Sequence, residues 1–285
     1  MNFFLSRYKE LGHDIDPSTI NLRKSIRVNT LKISEGELLK HFKNKGLSFE
    51  KIPFTDFGYW LDSDFALSST PEYLQGYYYI QEAASQLPVQ VLSPNEKDVV
   101  LDMCSAPGSK TTQLGQVLNN QGRIVALEIN NGRIIGLRNN LERCGVKNVV
   151  VYQKDASHAS DIGIKFDKVL LDAPCSGNFV TDSGWFERRS ISDIKDVTKV
   201  QKSLLRSAVE VLKPDGVIVY STCSLEPEED EEIIEWALDN LPVRLLETGI
   251  KAGEPGLTPK TKLCRRFWPE KEPTQGFFIA KLMLI

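Results

Sequence analysis

From residue 98 onward the chain keeps a regular beat, short apolar runs alternating with stretches of helical spacing, and this limits the fold more than any other feature. Residues 99–101, 123–128, 148–152, 166–171 and 216–220 read as strands, with a late strand at 276–282. Between them 110–118, 133–144, 196–212 and 227–238 read as helices. The third of these ends at Lys213-Pro214-Asp215-Gly216, a clear stop signal. The alternation predicts an α/β fold with a parallel sheet covered on both faces. Such sheets bind ligands at the carboxyl ends of their strands, near the switch in strand order. The residues that directly follow each strand are therefore where chemistry is expected.

Residues 1–70 lack that beat. A helix-like start precedes Ser25–Lys32, which alternates as a short strand, and residues 35–45 have helical spacing with Leu38, Leu39 and Phe42 on one side. Residues 70–79 read as a connector. At 285 residues the chain suits one large domain or two of about 150. The expected division is a small N-terminal region, 1–70, and a larger domain, 71–285. Apolar residues at 41% are enough for a real core, and no run approaches the roughly 18 apolar residues of a membrane helix. The apolar patch at the N-terminus is too short for a secretory signal. Five cysteines, an odd and sparse set, argue against a disulfide-stapled module. A cytoplasmic location, where thiols stay reduced, is the expectation.

The loop after the first strand runs Asp102-Met103-Cys104-Ser105-Ala106-Pro107-Gly108-Ser109-Lys110-Thr111. It has neither the three glycines of a dinucleotide fingerprint nor the spacing of a Walker loop. Its free N–H groups at a helix start still suit an anionic group such as a carboxylate, and Lys110 can add a positive charge. A plain capped helix start accounts for this loop equally well. Glu128 ends the second strand, placed to accept hydrogen bonds from ribose hydroxyls. Asp155 follows the third, placed to accept from an adenine amino group. Loop, Glu and Asp after three successive strands point to an adenosine-containing cofactor, and S-adenosylmethionine fits better than NAD because close approach to a pyrophosphate needs the missing glycines.

Two further strands end in cysteine loops, Asp172-Ala173-Pro174-Cys175-Ser176-Gly177 and Ser221-Thr222-Cys223-Ser224. Most buried cysteines are small hydrophobes, and Cys144 and Cys264 read that way; Cys104 is open to either reading. Cys175 and Cys223 differ because two independent loops converge on one cleft. Carbon 5 of cytosine is a poor nucleophile. A thiolate added at carbon 6 turns the ring into an enamine and raises electron density at carbon 5. Asp172 is placed to assist at the N3 edge. After methyl transfer the carbon 5 proton must leave before the thiol is eliminated, and a second cysteine suits that step. These principles leave open which cysteine attacks.

These motifs resemble the RsmB/NOP class of RNA (cytosine-5) methyltransferases, most of all its short archaeal tRNA members. The likeness runs through Arg27–Lys32, Tyr77–Pro88, Leu101–Thr112, Leu170–Asn178, Tyr220–Glu229, Arg265–Pro269 and Gly276–Leu282. The resemblance implies a Rossmann-like class I methyltransferase fold, with a mostly parallel seven-stranded sheet, helices on both faces and a small α+β N-terminal region that binds RNA. It implies that Cys223 attacks carbon 6 and Cys175 assists release. It also implies cofactor contacts from Cys104, Ser105, Ala106, Pro107, Gly108, Ser109 and Lys110, with Glu128, Arg133, Asp155 and Asp172. Ser109 stands where the class commonly has a second glycine.

The expected activity is methylation of RNA cytosine to 5-methylcytosine, with tRNA favoured as substrate and rRNA as the alternative. A rival chemistry, methylation of an exocyclic amine or amide, needs a motif of the N/D-P-P-Y/F kind where this chain has Cys175. A catalytically silent RNA-binding protein has no use for both cysteines. The net charge of −3 hides an uneven distribution. Residues 226–235 hold seven acids and no base, and the first 53 residues carry ten Lys/Arg against six Asp/Glu. The acid run is expected to be a helix N-terminus. Basic residues from 23 to 51, with Lys260, Lys262, Arg265 and Arg266, are expected to contact phosphates, and Arg188 and Arg189 to reach RNA near the cleft. Tyr77, Tyr78 and Tyr79 suit base stacking or packing equally. His13, His41 and His158 have no ligand spacing, so no metal is expected. A monomer is the simplest assembly, and an accessory protein is left open.

Overall fold

Polar side chains start the first helices. In the computed structural model, which describes residues 2–285, α1 (Phe3–Glu10) begins where Asn2 Oδ1 accepts the Phe4 N–H at 2.9 Å. β1 (Ser25–Val28) precedes α2 (Glu35–Asn44), which opens with a capping box between Ser34 and Glu37. β2 (Ser48–Lys51), β3 (Gly58–Asp62), the short α3 (Pro71–Leu74) and β4 (Tyr78–Ile80) follow. The four strands form an antiparallel sheet in the order β2-β3-β1-β4. Ile26, Val28 and Tyr78 pack with Leu38 and Phe42 of α2.

This small sheet extends past residue 70, because α3 and β4 lie in the stretch that reads as a connector. Tyr78 and Tyr79 are buried, and the Tyr78 hydroxyl donates to Leu67 O at 2.7 Å, so these two are packing residues. Arg27 is likewise not a phosphate contact. It is buried, its Nε donates to Gln116 Oε1 at 3.0 Å and its Nη2 to Thr112 Oγ1 at 2.9 Å, which ties β1 to the helix of the next layer.

That layer begins with α4 (Leu87–Leu92), β5 (Val99–Asp102), α5 (Ser109–Val117), β6 (Arg123–Glu128), α6 (Asn131–Cys144), β7 (Val149–Gln153) and β8 (Phe166–Asp172). It continues through α7 (Trp185–Arg188), α8 (Ile191–Glu210), β9 (Leu212–Thr222), α9 (Glu231–Asn240), β10 (Val243–Leu246), β11 (Glu254–Pro255), β12 (Arg265–Phe267) and β13 (Phe277–Leu284). The sheet order is β11-β12-β13-β9-β8-β5-β6-β7, with β10 also on β13. β5 to β9 run parallel, and β13 is antiparallel to β9. The seven expected strands are β5 to β10 and β13; β11 and β12 are short additions at one edge.

Alternation along the strands builds two cores. Leu101, Val169, Leu171 and Ile218 face Leu204, Leu205 and Ala208 of α8 and Ile233 and Ile234 of α9. Val100, Leu170 and Val219 face Leu87 and Val89 of α4 and Leu114 of α5. The chain leaves β5 for β6 on one side and returns to β8 on the other, so the strand order reverses beside β5. A cleft opens there, at the carboxyl ends. Among the described residues no helix is long and apolar enough to cross a membrane.

Candidate active site

The cleft has a volume of about 550 Å³, and its lining includes Cys104, Ala106, Glu128, Arg133, Asp155, Asp172, Cys175 and Cys223. All but Arg133, which stands in the first turn of α6, come from a loop or strand end at the same edge of the sheet. Met103, Ile129, Val200 and Leu204 add apolar wall. Ser105, Pro107, Gly108, Ser109 and Lys110 do not line it. Ser105 turns its hydroxyl to Leu127 O at 2.8 Å. Gly108 caps α5 with φ +105°, a conformation that suits glycine alone, whereas Ser109 is already the first helical residue. The second glycine of the class is therefore not needed by this backbone.

Glu128 is held by its neighbours: its Oε1 accepts the Asn130 N–H at 2.9 Å and its Oε2 lies 3.3 Å from Arg133 Nη1. Arg133 Nη2 also donates to Ala106 O at 2.5 Å, joining α6 to the loop after β5. Asp155 Oδ1 accepts from the Ser157 N–H and hydroxyl at 2.9 and 2.8 Å, and these bonds hold its carboxyl below the ordinary range. Cys104 is a wall residue whose thiol is pushed up by burial. These groups present two acceptors against apolar surface, an arrangement that suits an adenosine, whose hydroxyls and amine donate.

Across the cleft, Cys175 Sγ and Cys223 Sγ stand 3.2 Å apart. The hydrogen bond from Cys175 draws the Cys223 thiol below its ordinary value, and the Lys110 charge acts in the same direction against burial. The same bond, with burial, pushes Cys175 up. The pair thus divides into a sulfur readier to be a thiolate and one readier to keep its proton. Asp172 lies beside them, its Oδ1 accepting from Ser221 Oγ and its Oδ2 from Lys110 Nζ, both at 2.7 Å. Lys110, nearly buried, also donates to Ser85 Oγ at 2.9 Å. Its charge is therefore committed to the cysteine side and not to the loop after β5. Cys144 and Cys264 are buried away from this pair, as small hydrophobes.

Sequence reasoning missed the partners of this half. Ser85 and Ser221 lie inside the quoted stretches but were given no role there, and the acid run is not simply a helix N-terminus. Only Glu231 and Glu232 fall in the first turn of α9. Glu226, Glu229 and Asp230 precede the helix and are fully buried. Glu226 accepts from Tyr8 Oη at 2.6 Å and pairs with Arg7 at 2.7 Å. Arg266 is not a phosphate contact either: it is buried between Asp230, at 2.9 Å, and Glu231, at 2.5 Å. Arg188 pairs with Asp182 on the exposed surface. Among the described residues no group of three or more His, Cys, Asp or Glu forms a metal site.

Comparison with known proteins identifies the family. Residues 89–283 match the family described as 16S rRNA methyltransferase RsmB/F, and residues 4–83 match the N-terminal domain of 16S rRNA methyltransferase RsmF. Ribosomal RNA small subunit methyltransferase F of Aeromonas salmonicida is 40% identical over 92% of this chain and 57% of its own length. The human 28S rRNA (cytosine(4447)-C(5))-methyltransferase is 36% identical over 95% of this chain and 36% of its own length. The chain thus spans little more than half of such relatives, or less. Among solved structures, a methyltransferase homolog protein from Pyrococcus horikoshii superposes with a TM-score of 0.86 at 43% identity, covering 94% of this chain and 88% of that one. NSun6 from the same organism, solved with SFG, gives 0.89 at 29% identity, covering 98% and 97%. By this match over most of its length, and by the class I fold with a small N-terminal region, the chain belongs to the RsmB/F methyltransferase family.

Proposed function

We propose that this chain methylates carbon 5 of cytosine in RNA, with S-adenosylmethionine as methyl donor. The observation that carries this reading is the pair of thiols 3.2 Å apart in the same cleft as Glu128, Asp155 and Asp172. Glu128 and Asp155 would hold the cofactor's ribose and adenine, with Ile129 and Met103 as apolar wall. The cofactor supplies an electrophilic methyl group. Cys223 Sγ bonds to carbon 6 and the displaced electron pair moves to carbon 5, which takes the methyl group. The carbon 5 proton then leaves, the double bond re-forms, and the C6–S bond breaks to return the Cys223 thiolate. Cys175, 3.2 Å from that sulfur, is the assisting group for release: its own proton must first pass to water, and its raised pKa then makes its thiolate the stronger base for the carbon 5 proton. Asp172, held by Lys110 and Ser221, presents an acceptor at the pyrimidine edge.

The cytosine must leave its stack to reach this cleft. The resemblance to the short archaeal tRNA members of the class favours tRNA as substrate, whereas the relatives from Aeromonas and human are named for rRNA. The names make rRNA at least as good a reading as tRNA. Bisulfite sequencing of both RNA classes, after incubation with protein and S-adenosylmethionine, tests the activity and separates the two. Protected cytosines in one class are expected, and none in either would overturn the reading.

A further inference from the structure

We infer that Glu229 is a positioning residue that holds the two thiols against each other by tying both of their loops to one buried carboxylate. This rests on the reading of Cys175 and Cys223 as the working pair. Glu229 sits in the turn before α9 and is fully buried. Its Oε2 accepts the Ser176 N–H and Gln201 Nε2, each at 2.9 Å. Its Oε1 accepts the hydroxyls of Ser176 and of Ser224, the latter at 3.1 Å. Ser176 directly follows Cys175, and Ser224 directly follows Cys223. Gln201 also donates to Pro174 O at 3.0 Å, on the other side of Cys175. The main-chain carbonyl of Glu229 accepts from Tyr220 Oη at 2.6 Å, three residues before Cys223. One residue therefore grips both thiol loops on both flanks.

The choice of residue type is informative. Glu226, Asp230 and Glu231 each face an arginine, but among the described residues Glu229 makes no salt bridge. A buried carboxylate without a counter-ion is costly, and a loop that needed only packing has cheaper solutions. Here four neutral donors converge, and burial still holds the carboxyl above its ordinary range. Only a carboxylate accepts on both oxygens; a glutamine keeps one acceptor for the Ser176 N–H and Gln201, while its NH₂ group forces the two serine hydroxyls to turn and accept, and every charge-assisted tie is lost. Asn178 Nδ2 donates to Cys223 O at 2.7 Å, a second tie that keeps the loops together when the first is weakened.

The test is Glu229→Gln in the full chain, read two ways. The first is the equilibrium between the Cys175/Cys223 dithiol and its disulfide in a glutathione buffer. There oxidised glutathione takes two electrons as the Sγ–Sγ bond forms and leaves as two reduced thiols. This constant reports how well the sulfurs are held together and needs no methyl transfer. The second is methyl-transfer kinetics. The expected result is a drop of about tenfold or more in the dithiol's oxidation constant, and of about 10²-fold in kcat, with KM for S-adenosylmethionine within about twofold. A wild-type oxidation constant in a folded Glu229→Gln protein overturns the inference, whatever happens to kcat. If that variant does not fold, Ser224→Ala, which removes the Cys223-side hydroxyl tie to Glu229 together with the acceptor of the Glu226 N–H, must lower the same constant severalfold; an unchanged value overturns it equally. Failure of the proposed function shows separately, as wild-type protein that pairs its thiols normally and transfers no methyl group to cytosine.

Discussion

On the β6 and β7 side of the cleft each carboxylate is fixed by residues beside it in the chain. Glu128 is held by the N–H two residues on and by Arg133, and Asp155 by Ser157. On the β8 and β9 side the partners come from far away. Arg7 and Glu226 are 219 residues apart, Ser176 and Glu229 53, and Arg266 and Asp230 36. The side proposed to hold the cofactor is thus a set of local motifs, each able to fail alone. The cysteine side is a coupled assembly whose geometry exists only when distant parts of the chain have come together.

The largest expected effect is on the coupled side. Cys223→Ala should lower methyl transfer by about 10⁴-fold or more, because it removes the sulfur proposed to bond to carbon 6. Cys175→Ala should instead trap a denaturation-resistant protein–RNA adduct, visible on a denaturing gel. Adduct from Cys223→Ala and none from Cys175→Ala would exchange the two roles. Next comes Arg266→Met. It strands two buried carboxylates, Asp230 and Glu231, and should cost about 3–5 kcal/mol in urea unfolding. Because Asp230 accepts from Thr222 Oγ1 at 2.5 Å, next to Cys223, kcat should fall as well. A stability loss with unchanged kcat would break the claim that this half is coupled to the thiols. On the local side, Glu128→Gln should raise KM for S-adenosylmethionine about 10- to 100-fold, the range for a hydrogen bond to a charged group, with a much smaller change in kcat. A kcat loss as large as the KM change would show that the two sides are not separable.

The same contrast explains what the sequence made legible. Glu128, Asp155, Cys175 and Cys223 each follow an apolar strand, so the α/β beat and one rule about strand ends were enough to bring them to one cleft. The roles of Arg27 and Arg266 were not readable, since a basic residue looks the same whether it meets phosphate or a buried carboxylate whose position depends on the fold. The acid run misled for the same reason: its charges suit a helix start, yet most of them are buried against Tyr8, Arg7, Ser176 and Arg266. β2 and β4 went unread because one is nearly all exposed and the other spans only 3 residues, too little for alternation to show. α4 is buried at five of its six positions, so it has no polar face to reveal a helical period.

The smallest effect sharpens the comparison most. Asn130 caps α6, its Oδ1 accepting the N–H groups of Gly132 and Arg133 at 2.8 and 3.2 Å. Asn130→Ala removes a cap and should cost about 1 kcal/mol. KM for S-adenosylmethionine should rise less than tenfold, since Glu128 keeps the main-chain N–H of residue 130. The cap lies toward the β7 edge of the sheet and Arg266 toward the β11 edge, and they share no partner. Their costs should therefore add to within about 0.5 kcal/mol in the double variant. Asn130→Ala combined with Glu128→Gln should not add, because both changes act on the Glu128–Asn130 turn and on the placing of Arg133. Additivity in the first pair and coupling in the second is the pattern that a local half and a long-range half must produce; coupling between Asn130 and Arg266 would mean that the sheet transmits strain across its whole width, and that the two sides of the cleft are one unit.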